Sequence, residues 1–434
     1  MFYKFTLCLY YMKFKLIIAI LILFISIVSA QPNQNTEVWF TPNSGSVDML
    51  NLFNNPEQWT SSRAIVDVYG FYAVQAEAPF AQYPCTICGQ NILPNLINTQ
   101  AFSKLVQWNK KISVEVSVVK PFACTYLEGF ATPSQRTAYI TQHIINNIES
   151  NGGTVEYLVM DEPLTGGAIT VTSNNVTQQC NYNLEQTADA VAEYISIVRA
   201  IYPSVKFVLV EPYPDPILSP TPQNPISAQG SVIRLQQFIT ALEARGVQLH
   251  AFHLDVNSEA ATAWTTNLAT DLNTLKQFFA SPSRTNPIRF GVIFNENINY
   301  QAQTNQQYYT ATLNFLNNVK NIIGVTEDVV FQSWHDLNDP LKQLPSNLPE
   351  NTSYTHTNLI INGWQALGGT LPNITSASQN TTQGQNQTGP GTQPKLKKEK
   401  IILTITIIIL VTVIFVLAYK LIKTIKLRKK YKYK

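Results

Sequence analysis

Apolar residues along the chain gather into short β-rich runs separated by loops and amphipathic stretches. Eight runs stand out: EVWFTPN (37–43), RAIVDVYGFYA (63–73), ISVEVSVV (112–119), VEYLVMDEP (155–163), KFVLVEPYP (206–214), LHAFHLDVN (249–257), RFGVIFNEN (289–297) and VVFQSWHD (329–336). Between them the apolar period becomes helical. Residues 134–150 put Ile140, Ile144, Ile145 and Ile148 on one face, and 184–201 do the same with Ala188, Val191, Ile195 and Val198. Residues 232–242 and 308–322 repeat the pattern. Near-continuous apolar strands alternating with helices imply a parallel sheet covered on both faces. Eight such units close best into an α/β fold, a (β/α)8 TIM-type barrel spanning residues 31–370. An open doubly wound sheet is the alternative, disfavoured because no G-x-G-x-x-G or P-loop follows any run.

The ends of the 434-residue chain follow other rules. Residues 1–30 pass from Lys4, Lys13 and Lys15 into LIIAILILFISIV and end on Val28-Ser29-Ala30. This is the layout of a signal peptide cleaved after Ala30, with an uncleaved anchor as the alternative. Residues 401–419 carry no charge, and as a helix they are long enough to cross roughly 30 Å of hydrocarbon. Eight Lys and Arg follow this span and four Lys precede it, so the basic tail 420–434 is expected in the cytosol, in a single-pass type I topology. Residues 371–400 are mostly Asn, Thr, Gln, Gly, Ser and Lys and read as a disordered stalk. Sequons at Asn373, Asn380 and Asn386 in the stalk, and at Asn175 and Asn351 in the body, are expected to carry glycans. Lys430 and Lys432 resemble the spaced dilysine retrieval signal of endoplasmic reticulum membrane proteins, so residence in that compartment or at the cell surface is expected.

The composition, 45% hydrophobic and 13% charged, excludes collagen, coiled coil and wholly disordered chain. The formal charge of +3 conceals a segregation, because residues 31–394 hold 15 Lys and Arg against 26 Asp and Glu, a net of −11. Such a body repels polyphosphate, and no nucleic-acid partner is expected. Of five cysteines, Cys8 leaves with the signal peptide, and Cys85, Cys88, Cys124 and Cys180 remain in an oxidising compartment. Four cysteines allow two disulfides in three connectivities. The lone Cys85-Thr-Ile-Cys88 could also be a redox pair or half a zinc site, but there is no second CxxC or nearby His to complete one. All four fall in the second, third and fourth strand-to-helix loops. Bridges Cys124–Cys180 and Cys85–Cys88, bracing the rim of a pocket, are expected.

In a (β/α)8 barrel the chemistry sits at the C-terminal ends of the strands. Those ends supply Asp161 and Glu162 after the fourth run, Glu211 and Tyr213 after the fifth, Asp255 after the sixth, Asn295 and Glu296 after the seventh, and Trp334 and His335 after the eighth. Asp67 and Glu115 lie inside the second and third runs, Trp39 lies in the first, and Lys120 is the one evident cation at a strand end. Six of these carboxylates, Asp67, Glu115, Glu162, Glu211, Asp255 and Glu296, are therefore expected to share one mouth or lumen.

LVMDEPL, with Asp161-Glu162-Pro163, and VIFNEN, with Glu296, resemble the clan of retaining (β/α)8 glycoside hydrolases. That clan carries an acid/base Glu after strand four, usually as Asn-Glu-Pro, and a nucleophile Glu after strand seven; Asp161 stands where it has Asn. The resemblance implies Glu162 as acid/base and Glu296 as nucleophile. It also implies a carbohydrate held by Asp161, Glu211, Tyr213, Asp255, Asn295, Trp334 and His335, with no cofactor or metal. Such cleavage needs one neutral carboxyl to protonate the leaving oxygen and one carboxylate to attack, about 5–5.5 Å apart in a retaining site. Crowded acids supply the difference in proton affinity. Two other classes stay open. A ring of Glu162, Glu211, His253, Asp255 and Glu296 could hold Mn²⁺ or Mg²⁺ as in sugar isomerases. A barrel without catalysis could instead present its loops to a glycan or protein.

Overall fold

Each of the eight runs contains one strand in the computed structural model: β1 Glu37–Thr41, β2 Val68–Tyr72, β3 Lys111–Val116, β4 Val155–Asp161, β5 Lys206–Tyr213, β6 Ala251–Val256, β7 Arg289–Phe294 and β8 Asp328–Gln332. The structure describes residues 36–42, 48–76, 92–173, 176–215, 227–257, 268–282, 284, 286–297, 302–333 and 344–372. Every strand pairs in parallel with its sequence neighbours, and β1 pairs with β8 from Glu37↔Asp328 to Thr41↔Gln332, closing the barrel. The α/β (β/α)8 expectation holds, and the open sheet is excluded.

Six long helices cover the outside: α1 Pro133–Ser150, α2 Leu184–Ile201, α3 Ser227–Ala244, α4 Leu268–Phe279, α5 Asn305–Ile323 and α6 His356–Ala366. Their starts are set locally. Thr132, Thr304 and Thr355 accept hydrogen bonds from the third backbone N–H of their helices, and Asn183 with Gln186 forms a reciprocal capping box. The outward faces of the strands, such as Phe207, Leu209, Phe252 and Leu254, pack under these helices in one large core. The inward faces form a second, smaller one of Trp39, Val68, Tyr157, Val159, Val208, Val210, Ala251, Ile293 and Val330.

The lumen is filled in layers. At the N-terminal end Lys111 pairs with Glu37, Arg289 pairs with Asp328 at 2.6 Å, and Lys206 pairs with Glu156 at 2.7 Å. Above them Trp39 lies edge-on to His253, and His253 Nε2 meets Asp328 Oδ2 at 3.0 Å. Burial of Asp328 is outweighed by His253 and Arg289, so its carboxyl stays below the ordinary range. Gly291 makes room here, since a Cβ on it would lie 2.6 Å from the His253 ring and 2.8 Å from Asp328 Cβ. Trp39 thus belongs to the waist of the barrel.

Cys124 and Cys180 form the expected disulfide, with Cα atoms 5.1 Å apart, and join the third and fourth loops. Cys85 and Cys88 lie outside the described residues, as do Trp334, His335, Asn175, Asn373, Asn380, Asn386, the signal segment and nearly all of the stalk. Asn351 is exposed on a turn. The described residues fall in a compact unit, Met1–Thr375; a second unit, Ser376–Lys434, contains the apolar stretch 401–419 and lies outside them. Among the described residues no helix is long and apolar enough to cross a membrane.

The segment after β8 returns to the barrel. Glu350 accepts from the backbone N–H groups of Ser61 and Ser62 at 3.0 and 2.8 Å, fastening this segment to the short helix Thr60–Ile65. His356 at the start of α6 is fully buried against Phe40 and Tyr308, and neither ring nitrogen has a hydrogen-bond partner among the described residues. Burial pushes its pKa down to about 3. The imidazole is thus neutral when folded and gains a proton near pH 6.5 when unfolded. Stability conferred by the neutral ring is fully present above about pH 6.5 and is lost as pH falls toward 3, at up to about 1.4 kcal/mol per unit. Urea unfolding is expected to show this slope between about pH 6.5 and 5, and His356→Phe to remove it; an unchanged slope in the variant contradicts the assignment.

Candidate active site

Strand alternation decides which acids reach the lumen. In β4, Tyr157 and Val159 face inward, so Asp161 does too; in β3 the inward residues are Ser113 and Glu115; in β6 they are Ala251, His253 and Asp255. Past Asp161 the ladder makes one more bond, Glu162 N–H to Val210 carbonyl at 3.0 Å, and the backbone then turns left-handed at Glu162 with φ 44° and ψ 48°. A non-glycine residue in that region costs roughly 1–3 kcal/mol, and a following proline ordinarily favours extended backbone. The turn aims the Glu162 carboxylate at the same cation that Asp161 reaches.

That cation is Lys120, one residue before the short helix Pro121–Thr125. Its Nζ lies 2.9 Å from Asp161 Oδ2 and 3.0 Å from Glu162 Oε2. Side-chain exposures of 15% for Lys120, 14% for Asp161 and 24% for Glu162 leave the trio reachable from solvent. The Lys120 stem is held from behind. The Lys120 carbonyl accepts from Cys124 N–H at 3.2 Å and lies 3.4 Å from Cys180 Sγ, so the disulfide sits beneath this residue. Gly166 approaches so closely that a Cβ there would lie 2.2 Å from the Val119 carbonyl and 3.0 Å from Lys120 Cδ.

The proton affinities differ in a useful way. Burial opposes the Lys120 charge, but Asp161 and Glu162 outweigh it, and the ammonium is raised above its ordinary value. Glu162 is raised by burial and by Asp161, with Lys120 pulling the other way. Asp255 is pushed up to about 7, first by burial and then by the charge of Glu162, although Asn295 Nδ2 donates to its Oδ1 at 3.2 Å. Burial and Asp161 hold Glu115 well above the carboxylate range despite a 2.9 Å bond from Gln332 Nε2. The mouth therefore combines two carboxyls of raised proton affinity, Glu115 and Asp255, with two that touch the Lys120 ammonium.

The remaining expected residues go elsewhere. Glu211 is fully buried on the outward face of β5, with Phe207, Leu209 and Tyr213. It accepts from Leu164 N–H at 2.6 Å and Thr165 N–H at 3.3 Å, capping the helix Pro163–Ala168. Tyr213 is buried and donates to Asp271 of α4, a packing role between barrel and helix. Asp67 precedes β2 and accepts from Val38 N–H at 2.9 Å, so it lies at the opposite end of the barrel from the mouth. Asn295 turns inward, but Glu296 is 4% exposed, accepts from Ala302 N–H at 3.1 Å, and acts on Tyr308 of α5. His253 belongs to the Asp328 pair at the waist. Among the described residues no group of three or more His, Cys, Asp or Glu could hold a metal ion. One contributor was not foreseen: Asp215, two residues past β5, pairs with Arg234 of α3, and its charge acts on both Glu162 and Glu211. It carries no strand-end signal because it follows the run.

No protein-family model matches the chain, and no curated protein matches it. Solved structures similar to it include the catalytic domain of a hyperthermophilic chitinase from Pyrococcus furiosus, at 14% identity and a TM-score of 0.40, covering 79% of this chain and 99% of that one. An α-amylase from Lactobacillus plantarum is similar at 11% identity and a TM-score of 0.41 over 76% and 80% of the two chains. A 7,8-dihydropteroate synthase from Vibrio fischeri is similar at 11% and 0.39 over 78% and 95%. At these identities and TM-scores nothing about the chemistry of this chain is taken from them.

Lys120→Met removes the ammonium that Asp161 and Glu162 share. The loss of stability is expected to be on the order of 3 kcal/mol where the carboxyls must stay ionised, and smaller in acid, where they can take up protons. Urea unfolding at about pH 8 and pH 5 measures this; equal losses at both would contradict the shared-ammonium description.

Proposed function

We propose that the chain is a glycoside-hydrolase-like enzyme acting on a carbohydrate at the C-terminal mouth of its barrel. The arrangement that carries this reading is Asp255, its carboxyl raised to about 7 by burial and by the charge of Glu162, together with a second kind of acid, Asp161 and Glu162 held on Lys120 at 2.9 and 3.0 Å. Glycosidic cleavage needs one group of each kind facing one another across the scissile bond.

The sequence resemblance assigns Glu162 the acid/base role and Glu296 the attack. The surroundings of these groups favour a different division. Asp255 donates the proton to the leaving oxygen, and Glu162 supplies the ionised carboxylate that attacks or stabilises the oxocarbenium-like centre. Asp161 and Asn295 hold substrate hydroxyls, and Glu296 accepts from Ala302 N–H.

Leaving-group dependence separates the roles. Asp255→Asn is expected to lower kcat/KM by roughly 10²–10⁴ on poor leaving groups and far less on a dinitrophenyl glycoside, which departs without a proton. Glu162→Gln is expected to lower both alike, and Glu296→Gln to retain most activity. The wild-type rate is expected to fall as pH rises through about 7, when Asp255 loses its proton, and in acid, when Glu162 gains one. Loss of all turnover in Glu296→Gln with full activity in Asp255→Asn restores the assignment read from the resemblance.

The same reading includes the chain's setting. A signal peptide, the glycosylated stalk and the span 401–419 would hold the barrel in the lumen or outside the cell as a single-pass type I protein, with the basic tail in the cytosol. Full-length protein is expected to resist alkaline carbonate extraction and to lose mass on N-glycan removal, whereas deletion of 401–434 yields a secreted form. Carbonate-extractable, unglycosylated full-length protein would overturn this placement.

A further inference from the structure

A cavity lies in the lumen between the His253–Asp328 pair at the waist and the acids of the mouth. Seven strands contribute walls to it, among them Trp39, Thr41, Ser113, Glu115, His253 and Gln332. Inward positions alternate along a strand, so Asp161 stands two residues beyond the wall residue Val159, and Asp255 two beyond His253. The cavity therefore lies one layer, about 6.6 Å, beneath these two acids. Glu115 belongs to both levels, since it lines the cavity and feels the charges of Asp161, Lys120 and Glu162.

We infer that this cavity is a binding site for one neutral hydroxyl oxygen, held by the indole N–H of Trp39. Trp39 is buried, and its Nε1 has no hydrogen-bond partner among the described residues, a costly state for a donor away from solvent. The cavity that Trp39 lines leaves about 10 Å³ for the centre of a water-sized group, which is the room one water needs. Gly70 preserves a polar wall: a Cβ there would lie 2.0 Å from Thr41 Oγ1, so a larger residue would drive that hydroxyl from its place. The walls also select the chemical class. An indole N–H only donates, so it repels a cation and calls for an acceptor. An anion would meet the field of Asp161, which together with burial already holds Glu115 above the carboxylate range. A hydroxyl oxygen accepts from Trp39 and gives its own proton to an oxygen of Thr41, Ser113 or Glu115. Two sources offer such an oxygen: a water, or a sugar hydroxyl reaching down from the mouth. The second source rests on the hydrolase reading above and the first does not.

High-resolution crystal structures of the full-length protein test this. The wild type is expected to show one oxygen about 2.7–3.2 Å from Trp39 Nε1, and to take up no xenon under pressure, because xenon enters a dry apolar cavity and not a hydrated polar one. Trp39→Phe removes the donor and is expected to lose the oxygen. The density and xenon measurements on the wild type decide the matter even where the variant does not fold. Soaks with glucose and with xylose, which lacks the hydroxymethyl arm, separate the sources. A sugar oxygen in the place of the water assigns the site to substrate. A water that stays through both soaks assigns it to solvent, and the site then stands whether or not the hydrolase reading does. An empty cavity, xenon in the wild type, or an oxygen unmoved in Trp39→Phe overturns the inference.

Discussion

Hydrogen bonding of β1 to β8 makes the sheet continuous, and nearly everything else follows from that closure. With no free edge, the strands bond to a neighbour on each side, and both faces must be covered. Outside, the helices do this. Inside, only side chains can, which forces Trp39, Tyr157 and the Val208, Val210, Val330 group into the lumen. The same closure brings Glu37, Lys111, Arg289 and Asp328 together at one end and Glu115, Asp161 and Asp255 near the other. The C-terminal segment then strengthens it, because Glu350 ties the chain after β8 to the helix before β2.

The two ends of the lumen solve the same electrostatic problem differently. At the N-terminal end bases and acids match: Lys111 with Glu37, Lys206 with Glu156, Arg289 and His253 with Asp328. Asp328 accordingly holds its proton more weakly than usual even though it is fully buried. At the mouth, among the described residues, Lys120 faces several carboxyls, and Glu115 and Asp255 bind protons more strongly instead. Such an imbalance lowers folding stability, because like charges repel and burial penalises each of them. Matching them would have needed only another Lys or Arg on a neighbouring strand, as the opposite end demonstrates.

Much of the architecture was legible in the sequence because apolar period reports burial directly. All eight strands and the four long helices read from spacing are present, and the Cys124–Cys180 bridge follows from loops that a barrel must bring side by side. What the spacing could not give was the facing of individual strand-end residues. A strand buried on both sides is apolar at every position, so alternation does not announce which parity looks inward. Glu211 and Tyr213 were assigned to the pocket by position alone, and both have the parity of Phe207 and Leu209, which face the helices. In β5 alone side-chain size carried a signal, since the inward Val208 and Val210 are smaller than the outward Phe207 and Leu209. Asp67 was misplaced for a simpler reason, since β2 begins one residue after it.

The site also departs from local preference in its backbone. Glu162 stands in the left-handed region directly before Pro163, a position where most sequences would use glycine or a different turn. Its amide nevertheless completes the β4–β5 ladder, and its carbonyl accepts from Gly166 N–H at 2.7 Å, so the strain is held by bonds on both sides. An extended Glu162 would continue the strand alternation, and its carboxylate would then face the helices, as Glu211 does. The left-handed turn cancels that parity and lets two consecutive acids, Asp161 and Glu162, reach one ammonium. Strain, excess charge and a close-packed Gly166 thus converge on one strand end. Folding alone favours none of them, and such convergence is what the proposed site leads one to expect.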